Sequence, residues 1–144
     1  MRDLAQFLHS HGYHEIQLTR SVVGHFHTRG TLNDREVEVL VDTGASCTCV
    51  AMSLVSELGL EHKEHEVSAG WAGGYLDQLV VEGANLRLGT FVPHPVSMAG
   101  LDFDQINAPL VAQGSAPVDI ILGADVFDAH AAIIDCSAQC LFLR

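Results

Sequence analysis

The stretch Val39-Leu40-Val41-Asp42-Thr43-Gly44-Ala45 places a carboxylate directly after three apolar residues. Such a run predicts a buried strand that ends in a tight turn. Burial disfavours the charged form of a carboxylate, so Asp42 needs hydrogen-bond donors close by. The turn offers the Thr43 hydroxyl and the backbone N–H groups of Gly44 and Ala45. We expect Gly44 to take a positive φ and to let the backbone approach the carboxylate closely.

A second apolar stretch is Pro117-Val118-Asp119-Ile120-Ile121-Leu122-Gly123-Ala124-Asp125, which predicts a buried strand, a glycine and a short helix. Together the two stretches resemble the retropepsin-like branch of the aspartic proteases. In that family the strand before the glycine crosses beneath the Asp-Thr-Gly loop and supports it. The resemblance implies an all-β fold, a closed β-barrel of one lobe with two or three short helices. We divide the chain into an N-terminal helix and strand extension, 1–23, and a protease domain, 24–144.

The sequence contains a single Asp-Thr-Gly, and its 144 residues suffice for one domain with its own core. Pepsin-like relatives carry two such loops in one longer chain. The resemblance therefore implies that this chain takes its second carboxylate from a second copy, with a two-fold axis between two Asp42 residues. The expected partners are that second copy, in a homodimer, and a peptide or protein substrate.

The resemblance also implies a role for each matching residue. Two Asp42 carboxylates would activate the attacking water, and Thr43 would cross-link the two loops by hydrogen bonds. Gly44 would keep the approach open, and Ala45 replaces the serine of pepsin-like loops. The residues implied to line the subsites beside the scissile bond are Pro117, Val118, Asp119 and Ile121.

Between the two motifs lies Ala69-Gly70-Trp71-Ala72-Gly73-Gly74, at the place of the family's flap. Its three glycines predict a mobile hairpin tip. A tryptophan on such a tip is not placed for core packing, which favours a flap that closes over substrate. We therefore expect Gly70, Trp71 and Ala72 to bind substrate. The alternative is an ordinary loop with an exposed tryptophan.

The sequence departs from the viral members of the family at two places. Ser46 stands where they have an acidic residue, and Ala124-Asp125 stands where they have Arg-Asn. Because that arginine helps to tie the viral dimer together, the stability of a dimer is open. An inactive relative that dimerises or binds peptides, and a chance Asp-Thr-Gly in an unrelated β protein, are alternatives. The intact active-site tetrapeptide favours the enzyme.

Composition and charge exclude other classes of protein. The chain is 48% hydrophobic, 17% charged and carries a net charge of −11, which argues against binding to nucleic acid or to anionic membranes. No stretch approaches the length of a membrane-spanning helix. The first residues lack the apolar core of a signal peptide, so we expect a cytoplasmic protein with reduced thiols.

Cysteine and histidine patterns leave a metal-binding β protein as a further alternative. Cys47 with Cys49 and Cys136 with Cys140 could form a four-thiolate zinc site. However, the sequence contains no Cys-x-x-Cys knuckle, so buried inert thiols are the favoured interpretation. The nine histidines are expected at the surface. We therefore expect no metal and no cofactor.

The local patterns predict a chain rich in strands. The predicted strands are 13–18, 22–28, 35–41, 47–50, 86–92, 119–122, 131–135 and 140–143, with a hairpin over 67–81. The predicted helices are 3–11, 52–58 and 124–129. We expect a turn at 30–34, a charged connector at 61–66 and a long loop at 99–115.

Overall fold

The computed structural model describes the backbone of residues 2–68 and 75–144. In this part of the chain, four helices and twelve strands alternate irregularly. The helices are α1 (Arg2–Ser10), α2 (Met52–Leu58), α3 (Asp104–Ala112) and α4 (Ala124–Ala129). The strands are β1 (His14–Gln17), β2 (Thr19–Arg20), β3 (Phe26–Leu32), β4 (Arg35–Val41), β5 (Cys49–Ala51), β6 (His62–Ser68), β7 (Tyr75–Val81), β8 (Leu86–Arg87), β9 (Met98–Leu101), β10 (Ile120–Leu122), β11 (Ile133–Asp135) and β12 (Cys140–Leu143).

A large mixed sheet has the strand order β2-β3-β4-β10-β5-β9-β7-β6, with β8 paired to β3. Strand β10 lies between β4 and β5, parallel to β4 and antiparallel to β5. Within the described residues the path ends at β2 and β6, so the observed strand pairs do not by themselves close a barrel. The arrangement puts the two motif strands, β4 and β10, side by side.

A smaller sheet has the order β1-β12-β11 and is covered by α1. Ala5 and Leu8 of α1 are buried in one cluster with Cys140 and Phe142 of β12. The predicted extension is thus paired with the end of the chain. The predicted domain boundary at residue 23 stays a prediction.

The core contains the alternate apolar residues of β4 and the apolar residues of β10, which lies beside it. Val37 and Val39 are buried while Glu36 is exposed, as the alternation predicts. Ile120 and Leu122 of β10 are fully buried beside them. No helix in the described part of the chain is long and apolar enough to cross a membrane.

Several predicted elements are confirmed with small shifts at their ends. Helix α2 ends at Gly59, which takes the left-handed conformation with φ 58°. The predicted strand over 22–28 is shifted and becomes β3, because Gly24 takes φ 88° in a turn before it. The turn predicted over 30–34 narrows to Asn33 and Asp34, whose φ values are 47° and 68°. The strand predicted over 86–92 is limited to β8, followed by an isolated bridge.

Two expectations about connecting segments were wrong. Residues 62–66 of the expected connector belong to edge strand β6. Charged residues are common on edge strands, where they oppose pairing with another chain. The expected loop over 99–115 contains β9 and α3. Helix α3 contains Pro109, and both Phe103 at its N-cap and Leu110 within it are buried. Tertiary packing therefore outweighs the local signal for a loop.

Candidate active site

The Asp42 carboxylate is half-buried at the end of β4. Its Oδ1 accepts a hydrogen bond from the Gly44 N–H at 2.9 Å. The Ala45 N–H donates to the main-chain oxygen of Asp42 at 3.2 Å, so it closes the turn and does not bind the carboxylate. Among the described residues the exposed Thr43 hydroxyl has no hydrogen-bond partner. Three donors to the Asp42 carboxylate were expected. Within a single chain, the Gly44 N–H is the one of these three that reaches it.

Gly44 is needed for space and not for an unusual backbone angle. It does not belong to the glycines with positive φ, so the expected positive φ was wrong. A Cβ at this position would lie 3.2 Å from Asp42 Oδ1, tighter than most Cβ contacts. The close approach of the backbone to the carboxylate is therefore confirmed.

The strand before Gly123 supports the Asp42 loop, as the resemblance implied. The Asp42 N–H donates to the Leu122 carbonyl at 3.0 Å, and the Ala124 N–H donates to the Ala45 carbonyl at 2.8 Å. A Cβ on Gly123 would lie 2.7 Å from the main-chain carbon and oxygen of Cys47. Only a glycine lets the two chain segments cross at this distance.

A second set of contacts, which the sequence did not indicate, fixes the far side of the loop. Thr48 is fully buried and donates twice to Asp125, through its N–H at 3.0 Å and its hydroxyl at 2.7 Å. The Thr48 hydroxyl also accepts from the Gly123 N–H at 3.1 Å. Val126 gives Asp125 a third donor at 2.9 Å. The one sequence signal was Asp125 itself, a carboxylate two residues after the glycine that follows an apolar strand.

The four predicted subsite residues of the second motif lie in different environments. Pro117 is exposed, Val118 is buried and Ile121 is 8% exposed. Asp119 is half-buried, and its Oδ2 accepts from the Glu38 N–H at 2.8 Å, which joins β10 to β4. Their role in substrate binding stays a prediction.

The predicted flap residues Gly70, Trp71 and Ala72 lie outside the described residues. The flanking strands β6 and β7 pair antiparallel in register from His62 with Val81 to Ser68 with Tyr75. This hairpin is joined to the main sheet through β9, beside β5.

The thiols differ from the expectation of four buried groups. Cys49 and Cys140 are buried, but Cys47 and Cys136 are exposed. Burial raises the pKa of the Cys49 thiol to about 12, and the neighbouring Cys47, Asp125 and Asp42 add to this effect. Cys49 therefore stays a neutral thiol at physiological pH, which makes it a poor nucleophile and a poor metal ligand.

The histidines are not all at the surface, as was expected. His27 and His130 are buried, at 2% and 4% exposure. His130 Nε2 accepts from the His94 N–H at 3.0 Å, and its Nδ1 lies 3.0 Å from the main-chain oxygen of Arg144. Among the side chains that the structure describes, in residues 3–64 and 79–144, no three of His, Cys, Asp or Glu are grouped as a metal site requires.

The fold defined by these elements is similar to those of several solved structures. The chain is similar to a retropepsin-like aspartic protease from Rickettsia conorii, with a TM-score of 0.60 and 20% identity over 91% of this chain and 90% of that chain. It is also similar to the retroviral protease-like domain of Ddi1 from Leishmania major, with a TM-score of 0.56 and 18% identity over 81% and 86%. A third similar structure is the EIAV protease complexed with the inhibitor HBY-793. Its TM-score is 0.53, with 20% identity over 76% of this chain and 91% of that chain. The fold is therefore retropepsin-like, with many strands and few short helices.

A family model described as aspartyl protease matches residues 28–126. The matched segment is more than half of the chain and contains both motifs, so the chain belongs to the aspartyl protease family. The resemblance found in the sequence is thereby confirmed. No curated protein matches the chain.

Proposed function

We propose that this protein is an aspartic endopeptidase that hydrolyses peptide bonds as a homodimer. The observation that carries the proposal is the geometry of Asp42, a half-exposed carboxylate held by the Gly44 N–H above a supporting strand. The chain supplies one such carboxylate, and a second copy supplies the other. The two lobes would each close into the barrel that the family's fold implies.

The chemistry follows from two carboxylates at close range. Their mutual repulsion prevents both from ionising at once, so the pair shares one proton. The ionised carboxylate takes a proton from water, and the protonated one donates a hydrogen bond to the peptide carbonyl. The leaving amine then receives a proton from the pair. No metal or cofactor takes part in this scheme.

The remaining site residues position the dyad and the substrate. Thr43 is exposed beside Asp42, where its hydroxyl can bond to the loop of the second copy. Gly44 and Ala45 complete the turn. On the substrate side we assign subsite roles to Gly70, Trp71, Ala72, Pro117, Val118, Asp119 and Ile121. The proposed partners are a peptide or protein substrate and the second copy of the chain. We propose the cytoplasm as the place where the protein acts.

The test is cleavage of a diverse peptide mixture by the purified full chain, read by mass spectrometry. We expect new peptide ends that a statine-type inhibitor suppresses. Asp42→Asn is the control, because the amide retains an oxygen for the Gly44 N–H but cannot share a proton. We expect its rate to fall by at least about 100-fold.

Two outcomes would contradict the proposal. Cleavage that persists in Asp42→Asn would show that another group does the chemistry. A correctly folded dimer that binds the inhibitor and cleaves no peptide would identify the inactive relative, a dimerisation or peptide-binding module.

A further inference from the structure

Two cysteines follow the Asp42 loop directly, and the proposed peptidase chemistry uses neither of them. Cys47 is exposed, whereas Cys49, the first residue of β5, is buried. Thr48 lies between them, and its buried hydroxyl donates to Asp125 at 2.7 Å. The two thiols therefore differ in their access to solvent, although the same short and firmly held segment carries both.

The Cys49 side chain turns back toward Cys47. Its S–H donates to the main-chain oxygen of Cys47 at 3.5 Å, and it also lies within hydrogen-bonding reach of the Cys47 thiol. In a fully extended strand, Cα atoms two residues apart are separated by about 7 Å, which is the limit for a disulfide. Cys47 lies in the bend before β5, so the chain between the two cysteines is not fully extended. Rotation of the exposed Cys47 side chain can therefore bring the two sulfur atoms together.

The two thiols suit different steps of an oxidation. A peroxide reacts with an accessible thiolate, and Cys47 is the thiol of this pair that solvent reaches. Burial raises the pKa of the Cys49 thiol to about 12, and the charge of Cys47 adds to this effect. Cys49 therefore stays protonated while Cys47 reacts. A neutral sulfenic acid on Cys47 removes that charge, and proximity then favours attack by Cys49.

We propose that Cys47 and Cys49 form a reversible redox site that takes hydrogen peroxide as its oxidant. In the first step the Cys47 sulfur attacks one peroxide oxygen, the O–O bond breaks, and a sulfenic acid and one water form. In the second step the Cys49 sulfur attacks the Cys47 sulfur, the S–O bond breaks, and hydroxide leaves with the Cys49 proton as water. The peroxide thus accepts the two electrons that the thiols lose. A small thiol reverses the reaction by two exchange steps and is itself oxidised to a disulfide.

The disulfide would act on the Asp42 loop, because the surrounding contacts leave the segment few ways to move. A Cβ on Gly123 would lie 2.7 Å from the main-chain carbon and oxygen of Cys47, so the segment has no room on that side. Two hydrogen bonds to Asp125 hold Thr48 in place. A tightened bend would therefore displace the loop that carries Asp42, and the oxidised chain should lose activity reversibly. This effect on activity rests on the proposed function, whereas the thiol chemistry does not.

The first experiment identifies the disulfide in the full chain. The reduced protein is treated with hydrogen peroxide, its remaining thiols are alkylated, and trypsin releases residues 36–63, which contain Cys47 and Cys49 but neither of the other cysteines. We expect mass spectrometry to show this peptide unalkylated and lighter by two hydrogen atoms, and a thiol reductant to restore both thiols. Two alkylated cysteines at a peroxide dose that oxidises Cys136 would overturn the proposal, and so would a link between two chains.

Single variants separate the roles of the two thiols. In Cys49→Ser the sulfenic acid has no partner, so we expect at least about tenfold more dimedone adduct on Cys47 than in the wild type. Cys47→Ser should give no adduct in this peptide, and an adduct on Cys49 would overturn the assignment. Cys136→Ser, at the other exposed cysteine, is the matched control and should form the disulfide as the wild type does. Circular dichroism reports folding, and the exposed Cys47→Ser keeps the test decisive if Cys49→Ser unfolds.

Peptide cleavage before oxidation, after oxidation and after reduction separates this inference from the proposed function. We expect the wild type and Cys136→Ser to lose at least about tenfold in rate and to regain it, and Cys49→Ser to keep most of its own rate. An equal loss in Cys49→Ser would overturn the disulfide as the switch. A complete disulfide that leaves cleavage unchanged would overturn the coupling to Asp42 while the peptidase stands. A reversible disulfide in a chain that cleaves no peptide would support the redox site and contradict the peptidase.

Discussion

At the scale of the residue, the buried Thr48 hydroxyl connects several parts of the candidate site. Asp125 accepts three hydrogen bonds, and Thr48 donates two of them. Because Thr48 also accepts from Gly123, it connects the end of the Asp42 loop to the strand beneath it. A carboxylate in a partly buried position is costly without such donors.

Thr48→Val should therefore destabilise the fold while it preserves side-chain shape. The valine cannot donate to Asp125 or accept from the Gly123 N–H. We expect the free energy of unfolding in urea to fall by about 1–3 kcal/mol. Thr90→Val, at an exposed threonine, is the control and should stay within about 0.5 kcal/mol. Equal stability of the two variants would contradict a supporting role for Thr48.

The Cys49 thiol should make the free energy of unfolding depend on pH in the alkaline range. In the unfolded chain the thiol loses its proton near the ordinary pKa of 9.0, whereas in the fold its pKa is about 12. Between these values the unfolded state releases a proton that the fold retains, so stability falls as the pH rises. We expect the free energy of unfolding to decline more steeply above pH 9 in the wild type than in Cys49→Val. Urea titrations at pH 8, 9 and 10 test this, and parallel declines would contradict it.

At the scale of the element, the two motif strands could be predicted because their signal is local. The apolar run before Asp42 gives β4 with the same ends, and helices α2 and α4 also begin and end where the sequence places them. Strand β6 was missed because the charges that protect an edge strand look like those of a connector. Helix α3 was missed because Asn107, through two hydrogen bonds with the Val118 main chain, fixes a segment whose sequence favours a loop.

The candidate site also has one part that the sequence predicts and one that it does not. The Asp42 turn and the strand that crosses beneath it could be predicted from two short motifs. The contact between Thr48 and Asp125 joins residues far apart in sequence, and no local pattern encodes such a distance. Strand β9 likewise depends on Gly100, where a Cβ would lie 2.9 Å from Leu79 Cβ on the neighbouring strand.

Helix α1 should be an integral part of the fold. Leu8 is 4% exposed and lies in the cluster that contains Phe142, whereas Phe7 is 57% exposed. Leu8→Ala would leave a cavity between α1 and β12, and we expect it to cost about 2–5 kcal/mol in unfolding free energy. Phe7→Ala is the control on the exposed face and should cost less than about 1 kcal/mol. Similar losses from both would contradict this packing.

At the scale of the whole molecule, the dyad that we propose between two copies would make activity a property of pairs of chains. A heterodimer of wild type and Asp42→Asn has one ionisable Asp42 and should be inactive. The amide retains the acceptor for the Gly44 N–H, so the variant should still dimerise. The variant should therefore draw wild-type chains into inactive heterodimers while the amount of wild-type protein stays the same.

Mixing the two proteins gives a quantitative prediction. If chains exchange freely, a fixed amount of wild type should retain about half of its activity with an equal amount of Asp42→Asn, and about a tenth with a ninefold excess. The assay follows one fluorogenic peptide after equilibration, with the wild-type concentration held fixed and the Asp42→Asn concentration varied. Undiminished activity at ninefold excess would mean that a single chain completes the catalytic site.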